Sequence, residues 1–472
     1  MDILTWFLVC LFIGVQVLYL LAMLVDVYFY SRPVNRVDIS LADGIAPGEL
    51  PHIVLLYPVL NEPEETMRTT FHSLARIDYP EERRSIVAIP NHDDHATIAS
   101  LRQLAKEFAF LSIMEVPPTT APEWQTVWSA WDSNPHVYWY HKGPRAGVRD
   151  LPAKKTRQLI YAFYQIHKER AGDFLLNYID ADSAPLPDHF LAGAAGVRQY
   201  DVTQSTNIAG NLLNTLPASW FAFDHIVWDA NKYGHLTADG THPYWVLGKG
   251  LFFKASDLYA LGGFHPWVAI EDPEVGMRFW KNGKTLGLIE APLVEEVPQT
   301  FGNGLKQRKR WVAGFFQSLN VPLKEMGFTR TERIKAWLNF LPCMSLSLNS
   351  IGIPLGVWAA VTWWLGTSPL PEWTLWLALV NAIALTIMFV RLYYVAWTRT
   401  RIVLPGALSR LWYLLRVNPL FLLVFWFIWI IPLWQGWRTY RKDRGLEWER
   451  TDKLNANDAI IRRNRLSTDR VQ

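Results

Sequence analysis

Leu175-Leu176-Asn177-Tyr178-Ile179-Asp180-Ala181-Asp182-Ser183-Ala184-Pro185 is an apolar run that ends abruptly in two carboxylates one residue apart. Leu175 to Ile179 is short and apolar enough to be a buried strand, and the turn formers Ser183 and Pro185 close it. In open α/β sheets such a strand end faces the ligand crevice. Asp180 and Asp182 can then approach one hard cation through oxygen. A divalent ion held by only one or two carboxylates keeps positions for phosphate oxygens, which is how magnesium usually meets a nucleotide. An Asp pair capping a turn is the other reading of the same residues.

From about Pro51 to Thr300 short apolar runs alternate with mixed polar segments, the rhythm of a mostly parallel sheet covered by helices. His52 to Tyr57 reads as a first strand, closed by Pro58-Val59-Leu60-Asn61-Glu62, and Thr66 to Leu74 as a helix. Ser85 to Ile89 reads as a second strand ending in Pro90-Asn91-His92-Asp93-Asp94. Carboxylates after consecutive parallel strands face one crevice, where Asp93 or Asp94 can accept hydrogen bonds from a base or ribose; a solvated acidic loop is the alternative. Residues 116 to 136, with Trp124, Trp128 and Trp131, read as a surface excursion whose aromatics pack locally. Lys142, Arg145, Arg149, Lys154 and Lys155 gather before the helical run Thr156 to His167. A basic cluster opening a helix suits a diphosphate, whereas a solvated basic face is the plainer meaning of such a run.

Downstream come Gly248-Lys249-Gly250, Leu261-Gly262-Gly263-Phe264 and Ala269-Ile270-Glu271-Asp272. A carboxylate pair closing an apolar segment is a place for a general base. An Asp with an ordinary pKa near 4 is ionised at neutral pH and accepts a hydroxyl proton once that oxygen begins to bond elsewhere. Glu271-Asp272 before Pro273 also fits a helix N-cap with Pro at the first position. In Gln307-Arg308-Lys309-Arg310-Trp311, helical spacing puts Gln307, Arg310 and Trp311 on one face and directs Arg308 and Lys309 elsewhere. Arg offers a planar fork to phosphate, and Trp a flat surface for a sugar ring. Lys306, Arg308 and Lys309 can meanwhile rest on anionic lipid.

Composition frames these segments. Half of the 472 residues are hydrophobic, enough for a soluble core together with membrane segments, and the net charge of +3 is too small to argue for nucleic acid. Two cysteines, Cys10 and Cys343, exclude a disulfide framework or a cysteine zinc site and fit a reducing cytoplasmic location. Leu4 to Val25 is long enough to cross a hydrocarbon core of about 30 Å. It lacks the positive n-region of a cleaved signal peptide. Arg32 and Arg36 place the chain from residue 31 onward in the cytoplasm. Later candidate spans are Leu338 to Leu365, Trp373 to Tyr394 and Pro419 to Trp437, with Pro342, Pro354 and Pro432 as possible kinks and Leu404 to Leu415 as an interfacial segment. Three later spans put the tail outside, yet its Arg438, Arg441, Lys442, Arg444, Arg462, Arg463 and Arg465 call for the cytoplasm. The charge is the stronger argument, so either one candidate is re-entrant or interfacial or a further short span lies near residues 402 to 418.

Taken in order, Pro58 with Asn61-Glu62, Asp180-Ala181-Asp182, Gly262-Gly263-Phe264, Glu271-Asp272 and Gln307-Arg308-Lys309-Arg310-Trp311 resemble the motifs of membrane-embedded family 2 glycosyltransferases, among them cellulose, hyaluronan and chitin synthases. The resemblance covers about residues 50 to 320. It implies a cytoplasmic GT-A domain, an α/β, Rossmann-like nucleotide-sugar-binding fold inserted between transmembrane helices. It further implies inverting transfer from a UDP- or GDP-linked sugar to a saccharide or lipid acceptor, with polysaccharide synthesis as the expected activity. Asp180 and Asp182 would hold Mg2+ or Mn2+, with Asp180 also contacting substrate, and Asp272 would be the base beside Glu271. Gln307 and Arg310 would contact the diphosphate and Trp311 the acceptor. Glu62 would belong to the nucleotide pocket, and Lys155 would match a lysine preceding the metal strand. The chain departs from the family at Leu60, where an aromatic is usual, and in the loop Pro90 to His95, where Asp94 is the favoured nucleotide contact over Asn91 and Asp93. The expected organisation is an N-terminal transmembrane helix (1–31), a catalytic domain (32–304), interfacial helices (305–335), a transmembrane region (336–437) and a polar cytoplasmic tail (438–472). Transfer of a single sugar to a lipid, as by ceramide glucosyltransferases, and a non-catalytic subunit on the same scaffold are the alternatives.

Overall fold

A computed structural model describes residues 2–236, 240–345, 348–442 and Asn457, with only the backbone of 236, 321 and 341–345. Seven strands form one sheet: β1 (Ile53–Val59), β2 (Arg84–Pro90), β3 (Leu111–Ile113), β4 (Leu175–Tyr178), β5 (Val202–Ala209), β6 (Leu251–Lys254) and β7 (Leu286–Glu295). Their order is β3-β2-β1-β4-β6-β5-β7. Every residue of β1 is buried, as its unbroken apolar run requires of a central strand covered on both faces. β1 pairs with β4 only as far as Leu56, so Pro58, which has no N–H to give, falls beyond that ladder.

The expected mostly parallel sheet is present with one reversal: β6 runs antiparallel to both β4 and β5. Because Leu251 at the start of β6 pairs with Tyr178 at the end of β4, the residues that lead into β6 arrive beside Asp180. Two apolar clusters fill the faces of the sheet. The tryptophan excursion is not a local surface feature, which corrects the reading of residues 116 to 136. Trp124, Trp128 and Trp131 join the main core, because α2 (Gln125–Ser133) lies against α3 (Lys155–Glu169), and Trp131 Nε1 donates to Tyr164 Oη across 3.1 Å.

A third cluster joins α4 (Leu216–His225), α5 (Asp272–Lys281) and α6 (Phe301–Ser318) to the C-terminal helices. These are α7 (Arg330–Ser345), α9 (Trp373–Arg399), α10 (Ala407–Arg416), α11 (Pro419–Ile428) and α12 (Ile430–Arg441), whereas α8 (Asn349–Trp364) packs through Leu355 with Phe12 and Val15 of the N-terminal helix. Among the described residues three helical segments are long and apolar enough to cross a membrane: Ile3–Tyr30, Trp373–Ile402 and Pro419–Arg441. The candidate Leu338 to Leu365 is corrected, since it is divided between α7 and α8, of 16 residues each. At 1.5 Å per residue each reaches about 24 Å, and the first turns of α7 carry Arg330, Glu332 and Arg333. Pro354 lies inside α8, and Pro432 sits in the first turn of α12, where its missing N–H costs nothing. The interfacial segment forms α10, with Leu408, Leu411, Trp412 and Leu415 exposed along one face. The Pro342 side chain and the tail positions Arg444, Arg462, Arg463 and Arg465 lie outside the described residues.

Candidate active site

One cavity of about 260 Å³ opens at the carboxyl edge of the sheet, where α6 closes over the ends of β1, β4 and β7. Glu62, Lys155, Asp180, Asp182, Glu271, Asp272, Gln307, Arg310 and Trp311 all line it, although they are spread over some 250 positions of sequence. Asp94 is not among the lining residues. It caps the helix His95–Glu107, its carboxylate accepting from Thr97 N at 3.2 Å and from Asn61 N at 2.6 Å. Asn61 has a positive φ of 50°, so Asp94 holds the loop that presents Glu62.

The acidic corner is built by neighbouring strand ends. Leu175–Tyr178 stops at Asp180; Ala184 then bridges Val294 of β7, and Glu296 N donates to Asp182 Oδ2 across 3.3 Å. Two cations flank Asp180. Lys155 Nζ donates to its Oδ1 at 2.8 Å, and Lys249 Nζ stands 3.7 Å from its Oδ2. Lys155 also reaches Glu271 at 3.2 Å and the Gly248 carbonyl at 2.8 Å. Burial alone would lower the Lys155 ammonium, but Asp180 and Glu271 outweigh it, so it stays charged.

α5 begins at Asp272 with Glu271 as the preceding residue, and neither carboxylate caps it. Glu271 does occupy the N-cap position, with Pro273 in the first turn as the sequence predicts, but its carboxylate makes no cap hydrogen bond and pairs with Lys155, while Asp272 sits on the cavity wall. The ordinary acidity expected for Asp272 is corrected. The carboxyl is partly open to the cavity yet enclosed by protein, and burial, followed by the Glu271 charge, pushes it up to about 8 against the pull of Lys155.

On α6, Gln307, Arg310 and Trp311 share the cavity-facing side, as helical spacing predicts. Arg308 does not rest on lipid. It is fully buried, donates through Nε to Asp224 at 2.8 Å, and stacks over Phe221 at 4.0 Å. α4 supplies both partners, so the basic run is split: its second residue fastens the helix from behind while the fourth and fifth face the cavity.

Sequence reasoning passed over four cavity residues. Lys249 pairs with Glu295 at the end of β7. Glu295 lies 3.2 Å from His225 Nδ1, and Asp229 is 3.4 Å from the same nitrogen. His225 immediately precedes and Asp229 lies within the π-helical segment Ile226–Lys232, an uncommon geometry concentrated at functional sites. The Gly248-Lys249-Gly250 spacing was the available signal, because both glycines hold positive φ, 68° and 65°.

Among the described residues no group of three or more His, Cys, Asp or Glu side chains could hold a metal ion alone. The two hard oxygen donors Asp180 and Asp182, on a cavity wall, fit Mg2+ or Mn2+ in the manner in which substrate phosphates complete the coordination.

The profile of "Glycosyl transferase family group 2" matches residues 175–434, more than half of the chain. A curated protein of Sulfolobus acidocaldarius named "Probable glycosyltransferase" is 21% identical over 318 residues. The match covers 64% of this chain and 57% of that protein, so the chain spans less than two thirds of that relative's length. Mannosyltransferase PcManGT from Pyrobaculum calidifontis, solved with GDP-Man and Mn2+, superposes with a TM-score of 0.52 at 14% identity, covering 93% of this chain and 99% of that one. At that identity the likeness concerns the fold. With the profile matching more than half of the chain, in a region that includes the paired aspartates Asp180 and Asp182, the chain belongs to glycosyl transferase family group 2.

Proposed function

We propose that this protein is a membrane-bound glycosyltransferase that moves a sugar from a nucleoside diphosphate to an acceptor hydroxyl with inversion. The convergence of Asp180, Asp182, Lys155, Asp272 and Arg310 on one cavity carries the reading. Asp272 takes the acceptor's proton as its oxygen forms a bond to the anomeric carbon. The bond from that carbon to the diphosphate oxygen breaks with its electron pair, and nucleoside diphosphate leaves. Arg310, with Gln307 beside it, faces the growing charge of the leaving group, and Trp311 gives the acceptor a flat surface. Asp180 and Asp182 would hold Mg2+ or Mn2+, which would supply positive charge to offset that of the leaving diphosphate. Glu62, on the loop fixed by Asp94, belongs to the nucleotide end.

Phe340 of α7 and Trp429 between α11 and α12 also line the cavity, so its apolar wall continues into the C-terminal helices. This favours an acceptor presented from the bilayer, a lipid-borne sugar or a lipid itself, over a freely soluble one. Three spans also agree with the charge pattern: from an outside N-terminus the domain of residues 32–304 is cytoplasmic, and two further crossings return Arg438 and Arg441 to the same side.

Membranes containing the full chain, incubated with UDP- and GDP-sugars and magnesium or manganese, should release nucleoside diphosphate above an Asp272→Asn control. Release equal to the control with every donor would overturn the catalytic reading.

A further inference from the structure

The transfer steps leave one charged pair on the cavity wall without a task. Lys249 and Glu295 are ion-paired, their side chains only 13% and 3% exposed. Burying two charges carries a desolvation cost that their mutual attraction offsets only when the geometry is good and further hydrogen bonds satisfy them. The pair is also held firmly. Gly248 and Gly250 take the left-handed backbone on either side of Lys249. Gln204 ties the loop down, donating to the Lys249 carbonyl at 2.6 Å and accepting from Leu247 N at 2.8 Å. Glu295 is steadied from its other side by His225.

The position of this pair decides what it can touch. Lys249 Nζ is 3.7 Å from Asp180, at the diphosphate corner. The neighbouring residue, Gly248, lies so close to Asp272 that a Cβ there would come within 3.2 Å of its Cγ. In a direct displacement the anomeric carbon lies between the leaving diphosphate oxygen and the hydroxyl held by the base. The donor sugar ring therefore occupies the interval that Lys249 overlooks. An ammonium only donates and an ionised carboxylate only accepts, so the two side by side discriminate the direction of adjacent hydroxyls. Sites that hydrogen-bond a hydroxyl reject analogues that misplace it far more strongly than apolar pockets do.

We propose that the Lys249–Glu295 pair is the donor-sugar subsite and sets which hexose the enzyme accepts. This rests on the transferase reading above and adds to it the residues that choose the sugar.

The test is direct binding and transfer with the full chain in detergent or nanodiscs, using the epimer pairs UDP-glucose with UDP-galactose and GDP-mannose with GDP-glucose, alongside free UDP and GDP. In Lys249→Met, affinity for the preferred sugar nucleotide should fall about tenfold to a hundredfold, the range for a lost hydrogen bond to a charged group. The preference between epimers should shrink toward unity, while affinity for the free nucleoside diphosphate stays within about threefold. Glu295→Gln should flatten the same preference, and it carries the test if Lys249→Met fails to fold by melting and size-exclusion criteria. Parallel loss of free nucleotide would make Lys249 a diphosphate ligand, and an unchanged epimer preference in both variants would remove the pair from sugar recognition; either overturns the proposal while leaving the transferase reading intact. A wild-type protein that binds none of these nucleotides and transfers from none overturns both.

Discussion

Lys155 Nζ donates to Asp180 Oδ1 across 2.8 Å and so joins the end of β4 to the start of α3. The same ammonium stands 3.2 Å from Glu271, so one cation is shared by the metal corner and the base loop. Its charge lowers the Asp272 pKa, against burial and Glu271 which raise it. Lys155→Met should therefore move the rising limb of the transfer-rate profile to higher pH, by about one unit, and Lys155→Arg should restore most of the shift. A profile that falls in amplitude without moving would deny the electrostatic link.

Asp272→Asn should leave sugar-nucleotide affinity near normal and cut transfer by at least about a hundredfold, the usual contribution of a general base. It carries a second, opposite consequence. A carboxyl whose folded pKa is raised from 3.8 to about 8 keeps its proton in the native state where the unfolded chain has released it. Its stabilising contribution is complete below pH 4 and is lost as pH rises toward 8, at up to about 1.4 kcal/mol per unit. The variant has no such loss, so its melting temperature should exceed that of the wild type increasingly between pH 6 and pH 8. A wild-type advantage growing over that window would contradict the assignment.

Arg308 and Asp224 form a buried ion pair with Nη2 to Oδ2 at 2.7 Å, and the arginine is capped by Phe221. Removing one partner strands the other without water. Arg308→Met and Asp224→Leu should each cost about 3–5 kcal/mol, whereas the double substitution should recover much of that. Thermal unfolding of the three variants gives the cycle. Additive losses would mean that the two charges do not depend on each other.

How far the chain could be read in advance depended on whether the cause was local. β1, β2 and β4 were legible because unbroken apolar runs bounded by turn residues have few other solutions, and the Gln307, Arg310 and Trp311 face followed from helical spacing alone. Asp94 was misjudged because a carboxylate after a strand looks the same whether it meets a ligand or caps the next helix; only the Asn61 and Thr97 amides tell the two apart. Arg308 was sent to the lipid surface because its partner Asp224 lies 84 positions away. Lys249 and Glu295 were silent for the same reason: each is an ordinary charged residue until the reversed strand β6 carries one to the other.

Gly248 offers the most sensitive probe of how closely that strand reversal fixes the base. Its φ of 68° is one that side chains rarely adopt, and an added Cβ would press on the Asp272 carboxyl carbon at 3.2 Å. Gly248→Ala pays about 1–2 kcal/mol for the left-handed backbone and displaces the Asp272 side chain by a few tenths of an ångström or turns it aside. Lys155 binds the Gly248 carbonyl as well as Asp180, so the diphosphate corner feels the substitution through one hydrogen bond, whereas the base is pressed directly. Proton abstraction suffers more, since even small misplacements of a reacting group lower the rate steeply. The expected result is a fall in kcat of about tenfold or more with KM changed less than about threefold, measured on protein that still melts cooperatively. A rise in KM with kcat preserved would show that the added Cβ leaves the base where it was.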